Sequence, residues 1–289
     1  MNYRHAYHAG NFADVLKHLV LVHVVDYLKR KDGGFRIVDT HAGLGLYDLG
    51  GIEAGKTGEW RAGIGRLLDG ASVDARQLAT DATVSAYLDI VREVGGAGDA
   101  GLMQYPGSPM IARRLLREQD RLVVNELHPD DMATLKSNFA RDRQTKVLNL
   151  DGWVVVKSAL PPPERRGVIL IDPPFECGGE FDRMAQALAD GVRRFATGVY
   201  VLWYPTKDEG GVAAFKRKLT ELDLGEQLAV ELNIGRDPDG QSPQRLAGCG
   251  LVIHSPPFGL DNWLAGLLPR LSAVLAQGPS ANWALTRAG

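Results

Sequence analysis

Residues 168–175 read Val-Ile-Leu-Ile-Asp172-Pro173-Pro174-Phe175, four apolar residues that run directly into a carboxylate, two prolines and an aromatic ring. A short apolar run rich in β-branched residues is typical of a strand buried on both faces of a parallel sheet. Proline has no N–H and favours extended geometry in the residue before it, so the two prolines end the strand in a stiff turn. The stretch therefore predicts a central strand whose carboxyl end presents Asp172.

Six further apolar runs have the length and composition of short strands. They lie at residues 35–39, 121–126, 146–151, 198–204, 227–232 and 250–254. Amphipathic helical patterns occur near residues 11–31, 109–118, 130–141, 181–195 and 211–222. Strands that alternate with helices favour a doubly wound α/β fold, so we expect a seven-stranded, mostly parallel sheet.

Four of the predicted strands end on an acid, at Asp39, Glu126, Asp151 and Asp172. Ligands of an open parallel sheet bind outside the carboxyl ends of the strands, so these four side chains should gather at one edge. An acid in this position also often caps the next helix, and for any one of the four this is the simpler explanation. Four acids in series favour a binding site.

A segment is inserted between the first two strands of the sheet. Gly43 lies in a turn after the first strand, and a ribose-binding acid usually follows such a turn after about 20 residues. Here the next strand-end acid is Glu126. We therefore predict an insertion over residues 47–107 that is helical, near 63–68 and 81–94, and contains no strand pair.

The remaining residues, 1–46 and 108–289, would form the sheet domain, with residues 1–20 as an N-terminal tail and helix. The chain returns to this domain at Tyr105-Pro-Gly-Ser108-Pro109. Proline is favoured in the first turn of a helix and serine at its N-cap, so we expect Ser108 to cap the helix that starts at Pro109.

The residue types after the central strand suit the methylation of an adenine amine. The lone pair of that amine is delocalised into the ring, so a catalyst must hold its N–H bonds with acceptors. Asp172 can accept one N–H and the Pro173 carbonyl the other, while Phe175 offers a face on which a flipped base can stack. A proline pair after a strand is often only a turn, and the chain contains a second such motif, Ser255-Pro-Pro-Phe258.

Composition limits the classes of protein that fit. The chain has 289 residues, 45% hydrophobic and 24% charged, with a formal net charge of −2, so contact with a nucleic acid would depend on local basic groups. Such groups occur at 113–117, 165–166, 193–194 and 216–218. The two cysteines, Cys177 and Cys249, indicate a reducing cytoplasm, and no apolar run is long enough for a membrane span.

The sequence as a whole resembles the RlmJ-type family of adenine-N6 methyltransferases that act on 23S ribosomal RNA. The matching stretches are residues 3–18, 39–43, 105–109, 115–120, 126–129, 151–152, 171–175 and 202–205. They cover essentially the full length in one order. The resemblance implies a Rossmann-like class I methyltransferase fold, S-adenosylmethionine as methyl donor, 23S ribosomal RNA as partner and adenine 2030 as target.

The resemblance also implies roles for individual residues. Those implied to line the cofactor site are His18, His41, Ser108, Glu126, Asp151, Gly152 and Asp172. By the chemistry of the adenine amine, Asp172 would be catalytic and the substrate would meet Pro173 and Phe175. Lys17 would lie beside the cofactor and help to position the substrate, and the resemblance implies that Tyr3 contacts the target on a tail that closes over the site. A metal site at His5 and His8 is not expected, because no clear third ligand accompanies this short spacing.

Three other interpretations remain open. Related strand-end motifs serve other planar amino groups, so a DNA adenine or a protein glutamine methyltransferase is an alternative. A non-catalytic RNA-binding module is a third, although it predicts an altered acid where Asp172 stands.

In the family fold the last strand runs antiparallel to the rest, which would place Ser255 at the opposite edge from the cofactor. We expect a monomer.

Overall fold

The computed structural model describes residues 5–98, 101–235 and 246–288. A 3-10 turn at His5–Tyr7 precedes the helices α1 Phe12–Lys29, α2 Ile52–Thr57, α3 Glu59–Ala62, α4 Ile64–Leu68, α5 Val73–Leu78, α6 Ala82–Gly95, α7 Ser108–Leu115, α8 Pro129–Asn138, α9 Gly152–Ser158, α10 Glu180–Arg194, α11 Glu209–Glu221 and α12 Leu260–Leu275. The strands are β1 Arg36–Asp39, β2 Leu46–Asp48, β3 Ala97–Gly98, β4 Gly101–Leu102, β5 Gln104–Pro106, β6 Arg121–Asn125, β7 Thr145–Leu148, β8 Gly167–Ile171, β9 Val199–Pro205, β10 Gln227–Asn233, β11 Gly248–His254 and β12 Asn282–Ala288.

The main sheet of the described residues has the strand order β12-β10-β11-β9-β8-β1-β6-β7. Strands β7, β6, β1, β8 and β9 are parallel neighbours, and β11, β10 and β12 continue the sheet in antiparallel pairs. All seven predicted strands are present, and the doubly wound α/β fold is confirmed. The five parallel strands bring their carboxyl ends to one edge.

The predicted strand count was wrong by one, because β12 adds an eighth strand beside β10. Every residue of β12 is exposed except Leu285, which is half-buried. A strand with no buried face shows no hydrophobic alternation. Backbone pairing with β10, in register from Gln227 and Ala288 to Asn233 and Asn282, holds it instead.

Helix α1 runs through the middle of the molecule. Its N-cap Asn11 accepts hydrogen bonds from the backbone N–H groups of Ala13 and Asp14, and residues on every side of the helix are buried. It packs on β8, β9 and β11 and against α6, α7 and α12. Apolar residues all around a helix are typical of such a buried position. The amino end of α1 therefore lies beside the carboxyl end of β8.

The inserted segment contains the helices α2 to α6, whose buried side chains join the same hydrophobic core as α1 and α12. The prediction that it contains no strand pair was wrong: β2 pairs with β5 where the segment leaves and rejoins the sheet, and β3 pairs with β4. These strands are only two or three residues long. Such lengths are too short for a periodicity signal.

Five helices were not predicted individually: α2, α3 and α5 within the insertion, and α9 and α12 outside it. Helix α9 has seven residues, and α12 contains Pro269 inside an otherwise regular helix. Proline normally ends a helical pattern. No helix among the described residues combines the length and apolar character that a membrane crossing requires.

Candidate active site

A cavity of about 570 Å³ opens at the carboxyl ends of the parallel strands. Glu126, Asp151 and Asp172, which follow β6, β7 and β8, all line it. Asp39 ends β1 but lies behind the cavity wall, 1% exposed. All four strand-end acids therefore lie at the predicted edge of the sheet. Three of them face the cavity, and Asp39 lies behind its wall.

The structure brings most of the predicted site residues to this cavity. Its lining includes Lys17, His18, His41, Ser108, Glu126, Asp151, Gly152, Asp172 and Pro173. Phe175 lines a second cavity of about 290 Å³, and the two cavities share a wall made of His5, Lys17, Asp172 and Pro174. Tyr3 lies outside the described residues.

Two backbone N–H groups hold Glu126 in place. Gly43 donates to Oε2 at 2.9 Å, and His128 donates to Oε1 at 2.8 Å. Burial raises the pKa of Glu126, and these two hydrogen bonds oppose that rise. Gly43 has a φ of +61°, a left-handed conformation that favours glycine. The remaining lone pairs of the carboxylate are available to two neighbouring hydroxyl groups of a ligand.

Asp151 and Gly152 form the start of α9. The Asp151 side chain caps the helix by accepting from the backbone N–H of Trp153 at 2.9 Å. A Cβ atom at Gly152 would lie 2.5 Å from His41 Nε2 and 2.8 Å from the Thr40 carbonyl. Gly152 thus lets α9 approach the loop after β1, which brings both edges of the cavity together.

A buried chain of charged groups leads to Asp172. Lys17 Nζ lies 2.5 Å from Asp172 Oδ2 and 2.9 Å from Asp14 Oδ1. The other Asp14 oxygen bonds His5 Nε2 and the Gly10 N–H, each at 2.9 Å. Burial alone would lower the pKa of Lys17, but the carboxylates of Asp14 and Asp172 outweigh it and raise that pKa. Lys17 is therefore a permanent cation that balances two carboxylates.

Two histidines on the cavity wall are held in the neutral form. Burial lowers the pKa of His18 to about 3, although Asp14 opposes the change. Burial likewise lowers the pKa of His41 to about 4, against the attraction of Asp172 and Asp151. At neutral pH each ring therefore offers one N–H donor and one acceptor.

Ser108 does not cap its helix as predicted. The N-cap of α7 is Gly107, and Ser108 is the first helical residue. Its hydroxyl donates instead to Asp39 Oδ2 at 2.6 Å. Burial raises the pKa of Asp39 to about 6, and the Ser108 hydrogen bond opposes the rise. The serine thus joins α7 to the end of β1 behind the cavity.

The smaller cavity has aromatic walls. Phe175 packs edge-on against Phe181 and Trp203, with ring centroids 5.1 Å and 6.0 Å apart. Phe175 has a φ of +53°, which is uncommon for a residue other than glycine. Phe175 and Trp203 both line the cavity beside Pro174, and Lys207 lies at the same lining. Phe175 and Trp203 thus give the smaller cavity an aromatic wall.

The second proline motif lies elsewhere. Strand β11 runs antiparallel to β9, and its last residue, His254, pairs with Tyr200 near the beginning of β9. Ser255 therefore leaves the sheet at the opposite edge from Asp172, as predicted. Phe258 is 85% exposed and lines neither cavity.

Many of the predicted basic groups are bonded within the chain. Ion pairs occupy Arg113, Arg114, Arg117, Arg193, Lys216 and Lys218. Arg166 donates to two backbone carbonyls. These basic side chains of the described residues thus make contacts within the chain.

Several cavity residues had not been singled out from the sequence. They include Tyr47, Leu127, His128, Asp131, Trp153, Glu180 and Arg183. Cys177, which from the sequence indicated only a reducing environment, also lines the cavity. Asp14 was also missed, although its position three residues before Lys17 on a helix places the two side chains on one face. Leu127 and Trp153 lie one and two residues after the strand-end acids Glu126 and Asp151, so their positions in the sequence could have predicted that they line the cavity. The others lie on loops and helices whose placement depends on packing.

Comparisons with known proteins identify relatives that match nearly the whole chain. The profile of the family described as ribosomal RNA large subunit methyltransferase D, RlmJ, matches residues 32–286. Two curated relatives carry the name ribosomal RNA large subunit methyltransferase J. The Haemophilus influenzae protein is 38% identical over 283 residues, 98% of this chain and 97% of its own, and the Escherichia coli protein is 40% identical over 275 residues, 95% and 94%. A crystal structure of a Legionella pneumophila protein has a TM-score of 0.85 and 30% identity, and the match covers 98% of this chain and 99% of that one.

Proposed function

Because the chain belongs to the ribosomal RNA large subunit methyltransferase D (RlmJ) family and has the Rossmann-like class I methyltransferase fold, we propose that it methylates N6 of an adenine in 23S ribosomal RNA. The target by family resemblance is adenine 2030. One observation carries this proposal. Asp172 lies in the wall shared by two cavities. The larger one has carboxylates that can accept from ribose hydroxyls, and the smaller one is lined by aromatic rings.

The larger cavity fits S-adenosylmethionine. Its volume of about 570 Å³ lies within the range of about 300–1,000 Å³ typical of small-molecule sites. The oriented Glu126 carboxylate suits two ribose hydroxyls, since charge-assisted hydrogen bonds of this kind are strong. Asp151 can accept from the adenine amine, while Leu127 and Trp153 supply apolar contacts at the same end. When bound, S-adenosylmethionine supplies an electrophilic methyl group on a sulfonium.

The smaller cavity would receive the target base. An adenine taken out of its helix can stack on Phe175 and Trp203, as enzymes that modify bases commonly arrange. Its amine would then face Asp172, whose Oδ1 is the oxygen not bonded to Lys17. Acceptance of an N–H by Oδ1, and of the second by the Pro173 carbonyl, directs the nitrogen lone pair towards the larger cavity.

Asp172 stabilises the positive charge that develops on the nitrogen as it becomes tetrahedral. Lys17 keeps one oxygen of that carboxylate fixed, so that the other oxygen is directed at the substrate. The carboxylate works through orientation and charge, and the amine proton leaves towards it or towards solvent after transfer.

We test the proposal with labelled methyl transfer to a 23S rRNA transcript, followed by digestion to nucleosides and mass spectrometry. The product should be N6-methyladenosine, mapped to one nucleotide. Asp172→Ala should lower the rate by at least about 100-fold. Asp26→Ala is the control, because it removes a partly exposed acid at the far end of α1 that pairs with Lys29 and lines neither cavity.

Duplex DNA and a release-factor peptide serve as competing substrates. Faster transfer to either would favour the DNA adenine or protein glutamine alternative over the rRNA proposal. Full activity of Asp172→Ala on the transcript would contradict the assignment of this cavity wall as the active site.

A further inference from the structure

The loop between β9 and α11 lies at the opening of the smaller cavity. Strand β9 is the parallel neighbour of β8, so its carboxyl end lies at the same edge of the sheet as Asp172. The strand ends at Pro205, and α11 begins at Glu209. Pro205 and Lys207 both line the cavity, and Lys207 is exposed. The Lys207 side chain therefore lies where the cavity meets solvent.

The other charged or titratable side chains of this lining are bonded within the chain. The whole set consists of His5, His8, Asp14, Lys17, Asp172 and Lys207. Lys17 contacts the carboxylates of Asp14 and Asp172, and His5 also bonds Asp14. His8 Nδ1 lies 3.0 Å from Glu59 Oε2 on α3. Within the described ranges 5–98, 101–235 and 246–288, Lys207 alone of this set has no ion pair and no side-chain hydrogen bond.

The acids that follow Lys207 in the sequence do not neutralise its charge. The Asp208 side chain caps α11, since its Oδ1 accepts from the backbone N–H of Gly211 at 2.9 Å. Neither Asp208 nor Glu209 lines the smaller cavity. The ammonium group of a lysine is charged at neutral pH. The opening of the cavity therefore carries a positive charge that no acid in the described part of the chain pairs with.

A flipped adenosine in this cavity would leave its phosphates at the opening. With the base against Phe175 and Trp203 and the amine at Asp172, the nucleotide stays joined to the RNA chain on both sides. Each linking phosphate carries a negative charge that favours solvent over the aromatic wall. Contacts to such phosphates fix the position of a nucleic acid without reading its sequence.

We infer that the Lys207 ammonium binds one of the two phosphates that flank the target adenosine and so holds the flipped nucleotide beside Asp172. The inference rests on the proposed function, because that function places the target base in the smaller cavity. The contact is electrostatic, so it strengthens binding of the RNA, weakens as salt rises and leaves the chemical step unchanged.

Steady-state methylation of a 23S rRNA hairpin that contains the target tests the contact. Lys207→Gln should raise the KM for the RNA about fivefold at low salt and leave kcat unchanged. The slope of log KM against log salt should fall by about 0.7, the value for one phosphate contact to a single strand. Lys207→Arg keeps the charge and should restore most of the wild-type KM.

Lys31→Gln is the matched control. It removes another exposed lysine, which precedes β1 at the opposite edge of the sheet and lines neither cavity. This variant should change neither the KM nor its slope. Equal changes in the two glutamine variants would indicate a general effect of net charge and would overturn the inference, as would an unchanged slope in Lys207→Gln.

A neutral phosphate analogue identifies the partner of Lys207. A methylphosphonate is placed in the hairpin at the linkage before or after the target adenosine, one at a time. At one of the two positions it should raise the KM of the wild-type chain about fivefold, and that of Lys31→Gln equally, but have no further effect in Lys207→Gln. If every methylphosphonate effect were as large in Lys207→Gln as in the wild type, Lys207 would not bind either phosphate.

The same assays separate this inference from the proposed function. If the wild-type chain methylated no adenine of the hairpin, the proposed function and the phosphate contact would both be wrong. If it formed N6-methyladenosine with the same KM and salt slope in Lys207→Gln as in the wild type, the proposed function would stand and the Lys207 contact alone would be wrong.

Discussion

Asp172 lines the candidate active site with a cation already bonded to it. Lys17 is only 4% exposed in its side chain and contacts two carboxylates, so the three groups form a single buried charge cluster. Removal of one partner from such a cluster leaves a charge without compensation, which costs more than the pair contributes. Both the free energy of unfolding and the rate of methyl transfer should therefore depend on Lys17.

Lys17→Met should lower the free energy of unfolding by about 3–5 kcal/mol and the methyl-transfer rate by at least about tenfold. The physical reason is that Asp14 and Asp172 would then face each other without a cation. Denaturant unfolding and single-turnover transfer measure the two effects. Lys29→Met on the same helix removes a partly exposed pair with Asp26, and an equal loss in that variant would contradict this interpretation of Lys17.

The neutral histidines predict a dependence of stability on pH. His18 and His41 have pKa values of about 3 and about 4 in the folded protein, against about 6.5 when unfolded. A depressed histidine pKa means that the unfolded chain takes up protons first. Stability is complete above pH of about 6.5 and is lost as the pH falls towards the folded pKa.

Between pH 7 and pH 5 each histidine should contribute about 2 kcal/mol to the loss of unfolding free energy. His18→Gln keeps a side-chain N–H near the Nε2 position but does not titrate, so its stability should fall less steeply over this range. Urea unfolding at a series of pH values gives the slope. An unchanged slope in His18→Gln would show that His18 is not the titrating group.

The helices and strands show which sequence signals carry structural information. The buried strands were predictable because an apolar run has few other stable positions, and acids at their ends were therefore placed at the correct edge. β12 and α12 were not predictable, the first because it has no buried face and the second because Pro269 interrupts its pattern. Local sequence also could not show that α1 would bring Asp14 and Lys17 to Asp172, since that depends on how distant elements pack.

The contact between α9 and the loop after β1 offers a test. Gly152→Ala would place a Cβ against His41 and the Thr40 carbonyl, and overpacking of this kind costs about 1–3 kcal/mol. The variant should unfold at lower urea concentration and bind S-adenosylhomocysteine more weakly. Gly55→Ala is the control, because its Cβ would meet nothing within 4 Å on exposed α2; that variant should be neutral or slightly stabilised. Equal affinity in the two variants would contradict the proposed close approach.

One hydrophobic core joins the inserted segment to the sheet. Ile64, Leu78 and Leu88 from the insertion belong to the same buried cluster as α1 and α12. Trp263 of α12 also donates from Nε1 to Asp81 Oδ2 at 3.1 Å, at the start of α6. The distance in sequence between two strand-end acids predicted a segment between the first two strands, but its burial against α1 could not be predicted.

Leu88→Ala should destabilise the whole chain by about 2–5 kcal/mol, because Leu88 is 1% exposed within that common core. Circular dichroism and tryptophan fluorescence should report one coincident transition. Met103→Ala removes a 58% exposed side chain from the same insertion and should change stability by less than about 0.5 kcal/mol. A separate early transition in Leu88→Ala would mean that the insertion unfolds on its own.

The two thiols of the chain differ in accessibility in a way that is useful in the laboratory. Cys177 is exposed at the rim of the larger cavity, whereas Cys249 is fully buried and its pKa is raised by burial. A maleimide dye should therefore attach at one known position without any engineering of the protein. Its emission, or the slowing of its attachment by S-adenosylhomocysteine, would then provide a direct optical titration of that cavity.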